Sequence, residues 1–154
     1  MHHWLMKTEP STFGLAHLEA APRRTTAWDG VRNYQARNML RDQMKKGDLA
    51  FLYHSSTAQP GIVAIMQIAK EAYPDPTAFD KKHHHYDPDS EPKNPRWFMV
   101  DVQLKRALAR TITLEELRAH ATGALKGMAL LRRGNRLSIT PVEAAHWKFI
   151  LTLE

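Results

Sequence analysis

The chain contains no cysteine, which excludes a disulfide framework, a zinc–thiolate centre and a cysteine nucleophile and allows a reducing compartment, the cytosol by default. It has no run near the ~20 consecutive apolar residues of a membrane-spanning helix. The opening Met1-His2-His3-Trp4 lacks the basic-then-apolar layout of a signal peptide, so a soluble, unexported, cytoplasmic protein is expected. Glycine (7) and proline (9) are too few in 154 residues for a collagen-like or low-complexity chain. No internal repeat and no heptad pattern is present. Acidic residues are in the minority: Lys and Arg total 22 against 16 Asp and Glu, a formal +6 that favours polyanionic partners. The excess is local, since Lys93 to Arg136 holds ten basic residues and three acids.

Several enzymatic signatures are missing as well. There is no Gly-x-Ser-x-Gly elbow, no phosphate-binding loop and no dinucleotide fingerprint. Tyr53, His54 and Ser55 follow one another on a predicted strand and point alternately, so they cannot form a dyad with each other. His83-His84-His85 with Asp87 and Asp89 supplies metal-ligand atom types. Adjacent histidines converge poorly on one ion, which favours a solvated loop and no resident metal. No cofactor is expected.

What is present fits one domain covering residues 1–154, of ordinary composition. Trp4 to Lys7 reads as a first strand stopped at Pro10, and Ser11 or Thr12 as the cap of a short helix carrying Phe13, Leu15 and Leu18. Asn33 is suited to cap a helix from Tyr34 to Met44, with Lys45, Lys46 and Gly47 at its end. Alternation predicts strands over 48–55, 61–71 and 97–104, separated by a proline-rich surface loop over 73–95 with a turn near Thr77. Thr113 and Glu116 have capping-box spacing ahead of another helix. A small strand is expected at 137–140, and Thr140-Pro141-Val142-Glu143 is expected to open a C-terminal helix. Strands and helices of uneven length, without a βαβ period, predict an α+β fold.

Two segments bring recognition chemistry together. Lys7-Thr8-Glu9 leaves the first strand, and Trp28-Asp29-Gly30-Val31-Arg32-Asn33 sets a flat ring beside hydrogen-bonding groups. A nucleobase is a π-surface with a polar edge, and stacking contributes about 1–3 kcal/mol per base. The competing reading makes Trp28 a core residue and Asn33 only a helix cap.

Trp4 to Pro10, Trp28 to Asn38, Gly47-Asp48, Tyr53-His54-Ser55, Gly61-Ile62-Val63, Tyr86-Asp87-Pro88, Pro95-Arg96-Trp97 and Leu131 to Ser138 together resemble the EVE domain, over essentially the whole chain. The resemblance implies a PUA-like fold, a curved mixed sheet closing toward a barrel with helices around it, related to the YTH domains that read methylated adenine in RNA. It also implies a reader of modified bases in DNA or RNA. Carried onto matching positions, Lys7, Thr8, Glu9, Trp28, Asn33, Tyr53, His54, Ser55 and Trp97 would surround the base pocket. Thr8 stands where many relatives carry serine, which keeps the hydroxyl. The expected mechanism turns one modified base out of its strand and inserts it between Trp28 and a second aromatic wall, Trp97 or Tyr53, while Lys7, Arg32, Arg132, Arg133 and Arg136 attract phosphate. The alternative is a small hydrolase or nucleobase-processing enzyme using Glu9, Asp29 and His54 as acid or base.

Overall fold

The computed structural model describes residues 1–154. Six strands, β1 (His3–Thr8), β2 (Thr25–Ala27), β3 (Leu49–His54), β4 (Gly61–Pro74), β5 (Phe98–Thr113) and β6 (Ile139–Val142), form one sheet in the order β2-β5-β4-β3-β1-β6. Only β1 and β3 run parallel; the other neighbours are antiparallel. The sheet is mixed and open, with β2 and β6 as its edges. Four short helices, α1 (Leu15–Ala20), α2 (Tyr34–Asp42), α3 (Leu114–Arg118) and α4 (Ala144–Thr152), flank it. None is long and apolar enough to cross a membrane.

Because strand side chains alternate, the sheet can bury both faces. Trp4, Met6, Ala50, Leu52, Met66 and Val102 pack on one face with Leu18 of α1 and Leu40 of α2. Leu5, Phe51, Ile65 and Leu108 pack on the other with Leu117 of α3 and Trp147 and Ile150 of α4. Strict alternation would leave Leu104 and Leu108 on the same face, yet they belong to opposite cores. Register shifts in the β4–β5 ladder separate them: one unmatched residue flips every side chain that follows and bends the strands. These irregularities curve the long β4–β5 hairpin.

Local signals and structure agree at α2, where the Asn33 side chain accepts from the Ala36 N–H at 3.0 Å, and at α3, where Thr113 Oγ1 accepts from the Glu116 N–H at 3.2 Å. They disagree at both chain ends. Gly14, not Ser11 or Thr12, caps α1. Pro141 lies inside β6 opposite Trp4, and the last helix begins only after Glu143. An edge strand tolerates proline, which lacks the N–H a central strand would need, so pairing with β1 overrides the local helix-start signal. β2, three polar or small residues long, carried no strand pattern.

Candidate nucleic-acid interface

A cavity of about 820 Å³ opens where β1 and β3 end and the segment after β2 crosses above them. Its size falls within the roughly 300–1,000 Å³ of small-molecule sites. Thr8 joins the strand exits: its Oγ1 donates to the Phe13 carbonyl at 2.7 Å, and its own carbonyl accepts from the Ser55 N–H at 2.9 Å. The Lys7 N–H donates to the Ser138 carbonyl at 2.8 Å, which draws the basic loop before β6 to the rim. On the opposite wall the Trp28 N–H donates to the Val100 carbonyl at 2.7 Å, continuing the pairing of β2 with β5 and pinning the indole.

After Trp28 the chain turns sharply at Gly30, whose φ is +76° and whose Cβ, were there one, would lie 2.3 Å from Cε1 of His85. Only glycine meets both demands. Gly30→Ala is therefore expected to cost at least the ~1–2 kcal/mol of a left-handed alanine and to displace the His85 ring from the cavity. A denaturation midpoint equal to that of the parent protein would refute this.

The turn is held from below by Asp75, which is fully buried. Its carboxylate accepts from the Gly30 N–H at 2.9 Å, from the Thr77 N–H and hydroxyl at 2.9 and 2.6 Å, and from Arg32 Nη1 at 3.1 Å. Burial alone would raise its pKa; the bonds from Thr77, Gly30 and Arg32 outweigh burial and hold it below the ordinary carboxylate value. Locally, Asp75 before Pro76 and Thr77 marks only the start of a turn, because the partners that make it an anchor lie 45 and 43 residues away.

The predicted site residues divide into two groups. Lys7, Thr8, Glu9, Trp28, Ser55, Arg32 and Arg136 line the cavity. Outside it lie Arg132 and Arg133, and four of the residues expected around the base are displaced from it. Asn33 is occupied as the cap of α2. Tyr53 points to the opposite core and is 2% exposed. His54 turns toward α1, where its Nε2 accepts from the Leu15 N–H at 3.1 Å. Trp97 is 5% exposed, with its ring stacked on Tyr34 at 5.0 Å, the Arg32 guanidinium 5.5 Å from its centroid, and its Nε1 donating to Asp87 at 2.5 Å. Its surface is already covered.

The two-walled aromatic clamp is therefore corrected. Trp28 itself is 8% exposed and packs in the first core, so it shows the cavity only part of its ring. Only 4 of the 18 lining residues are hydrophobic, so the walls are mainly polar. Additional groups missed by the sequence reading include Phe13, Asp29, His84, His85, Asn135 and Ser138. The sequence places Asp29 among the hydrogen-bonding groups beside Trp28 and as an acid or base, and offers the histidines as metal-ligand types.

Charge in the cavity is unevenly satisfied. The Arg32 guanidinium is engaged by Asp75, Thr77 and the carbonyls of Val31 and His85, which corrects its reading as a free phosphate contact. Arg136, and Arg132 and Arg133 beyond the rim, have no side-chain partner within the chain and are exposed. Lys7 contributes to the lining at the strand exit, but its Nζ lies 5.9 Å from the centroid of the Tyr53 ring, and burial lowers its pKa. Glu9 and Asp29 make no ion pair, which leaves two acceptor groups at the entrance.

Burial also lowers the pKa of His54, whose Nε2 lone pair holds the start of α1. The unfolded chain then binds more protons than the folded one below the usual histidine value of 6.5. Stability present above that value is lost as pH falls toward the folded pKa. Heat denaturation at pH 7.5 and 5.5 should show a lower midpoint in acid, and His54→Gln, which keeps an acceptor, should shrink the difference; equal differences would refute the assignment.

The turn from His83 to Tyr86 curls the three histidines together, their nearest donor atoms lying within 4.8 Å of one another. Two nitrogens bound to one zinc lie only about 3.4 Å apart, given Zn–N of about 2.0–2.1 Å. His83 Nδ1 is also engaged, accepting from the His85 N–H at 3.0 Å. The rings of His83 and His84 stack with a 16° tilt, so their in-plane lone pairs run side by side. This arrangement lines a cavity better than it grips an ion.

The molecule is an open, curved mixed sheet in the PUA-like manner that carries a polar cavity with exposed, unpaired arginines at and beyond its rim. Residues 2–153 match the EVE domain, and the chain belongs to that family. It is 50% identical to thymocyte nuclear protein 1 of Homo sapiens over 167 aligned positions, covering 99% of this chain and 73% of the relative. Among solved structures, human THYN1 in complex with DNA containing 5-methylcytosine superposes with a TM-score of 0.95 at 48% identity, covering 99% of this chain and 97% of the other. A protein from Pseudomonas putida gives 0.90 at 42% identity, with 98% of each chain covered.

Proposed function

We propose that this protein binds DNA carrying a modified cytosine of the 5-methylcytosine kind, taking the base out of the helix into the cavity beside Trp28. The observation that carries this reading is the joint one of a nucleoside-sized cavity at the strand exits and near-complete structural agreement with a relative solved with 5-methylcytosine DNA. The exposed part of Trp28 with Phe13 offers flat apolar contact. Ser55, whose hydroxyl is held only by a 3.4 Å bond to the Thr8 carbonyl, can turn to the base edge. Arg136, exposed and unpaired at the rim, faces the phosphates.

Extrusion costs a few kcal/mol, which stacking and edge contacts must offset. One methyl in a fitted apolar contact is worth about 1–3 kcal/mol, so a preference of about tenfold to 200-fold over plain cytosine is expected. Titration of matched duplexes with and without one 5-methylcytosine measures it; equal affinities would refute the reading. Arg133→Ala should weaken both duplexes alike and lower the slope of log affinity against log salt by about one.

A further inference from the structure

Three non-glycine residues in the chain have a positive φ: Arg23 at 56°, Arg24 at 51° and Ser56 at 53°. They lie next to or a few residues along the chain from residues that line the cavity. Ser56 follows Ser55, and Arg24 lies two residues before Thr26, both of which line it. A left-handed conformation costs an L-residue with a side chain roughly 1–2 kcal/mol, and glycine at either arginine position would remove that cost. The turn is nevertheless firmly made. The Arg24 N–H donates to the Ala21 carbonyl at 2.8 Å, and the Arg23 carbonyl accepts from Thr25 Oγ1 at 3.0 Å and Gln103 Nε2 at 3.3 Å. Both arginine side chains are exposed, and neither guanidinium has a hydrogen-bond, ion-pair or aromatic partner within the chain.

Strain retained at a site that carries two unused cations points outward, to a ligand. We propose that the Arg23–Arg24 turn is a second DNA contact, a short finger at the edge of β2 whose guanidinium groups hold phosphates of the strand next to the extruded nucleotide. The distance suits this. β2 leads from the turn straight into the cavity wall, and at about 3.3 Å per extended residue Arg24 lies about 7 Å from Thr26 along the chain. Phosphates follow one another every ~3.4 Å of axis on one strand of B-form DNA, so the turn stands one or two nucleotides from the bound base. Arg136 borders the cavity on the β1 side and the finger borders it on the β2 side, which would place the base between two anchored stretches of backbone. The forked guanidinium suits bidentate phosphate contact.

The inference rests on the DNA-binding reading above. Its test is the double variant Arg23→Gly/Arg24→Gly, which deletes both side chains while relieving the backbone. The thermal midpoint should be unchanged or higher, affinity for a 12-base-pair duplex should fall by about tenfold or more at low salt, and the salt slope should fall by about two. The ratio of affinities for methylated and plain duplexes should stay that of the parent protein. Arg23→Ala/Arg24→Ala, which keeps the left-handed turn, should lose the same affinity with the midpoint of the parent protein, not above it. A glycine variant that matches the parent in affinity and salt slope overturns the finger, even where the methyl preference persists. If instead the parent does not distinguish the two duplexes but the glycine variant weakens both, the finger stands and the modified-base reading fails.

Discussion

Asp75→Ala is expected to lower stability by about 3 kcal/mol and to abolish DNA binding in whatever fraction remains folded. The carboxylate is fully buried and is the common acceptor for the Gly30 N–H, both donors of Thr77 and the Arg32 guanidinium. Removing it strands a mostly covered cation, 23% exposed in its side chain, together with a backbone donor. Breaking such a pair costs about 3–5 kcal/mol when both partners are buried, and the partial exposure of Arg32 argues for the lower end. Urea denaturation at pH 7 measures the loss. Asp75→Asn, which keeps an acceptor oxygen without the charge, should lose less. It should also flatten the acid limb of the stability curve, because a carboxyl held below its usual pKa of 3.8 contributes stability above that value and loses it as pH falls further. A fully stable Asp75→Ala protein would show that the turn at Gly30 does not depend on this acceptor.

Trp28→Ala is expected to be comparably damaging, at about 3–5 kcal/mol, since truncating a buried tryptophan leaves a large void in the core. Loss of binding in that variant would be ambiguous. Trp28→Phe preserves a flat ring and most of the packing, so it should remain folded and separate the two roles. If the exposed part of the indole supports a stacked base, the phenylalanine protein should bind methylated DNA about fivefold to tenfold more weakly, toward the low end of base–aromatic stacking, with its salt slope unchanged. Parent-like affinity in a folded Trp28→Phe protein would make Trp28 a core residue with no part in recognition.

The fold was readable where short-range chemistry decides it: the Asn33 and Thr113 caps, the alternation of Leu49 to Tyr53, and the apolar face of Val100, Val102 and Leu104. The candidate site was readable in outline only. Alternation shows that Tyr53 and Ser55 share a face but not that a core covers Tyr53 while Ser55 lies past the end of the sheet. A tryptophan followed by Asp-Gly signals a turn, but the depth to which Trp28 sinks depends on the Val100 carbonyl across the sheet. Trp97 enters the expected pocket only through the family resemblance, and Tyr34 and Asp87 claim its face and its N–H. Asp75 before Pro76 and Thr77 signals a local turn start, but its burial and its hold on Gly30 and Arg32 come from contacts distant in sequence. Arg23 and Arg24 read as an ordinary polar connection because backbone strain leaves no mark in composition.

Extrusion of the base can be observed directly by placing 2-aminopurine beside a single 5-methylcytosine in a duplex and following its fluorescence on titration with the protein. A rise in emission as the neighbouring stack is broken is expected for the methylated duplex, at protein concentrations about tenfold or more below those needed for the unmethylated one, and a smaller response with Trp28→Phe. Tight binding to methylated DNA with no change in 2-aminopurine emission would contradict insertion of the base into the cavity.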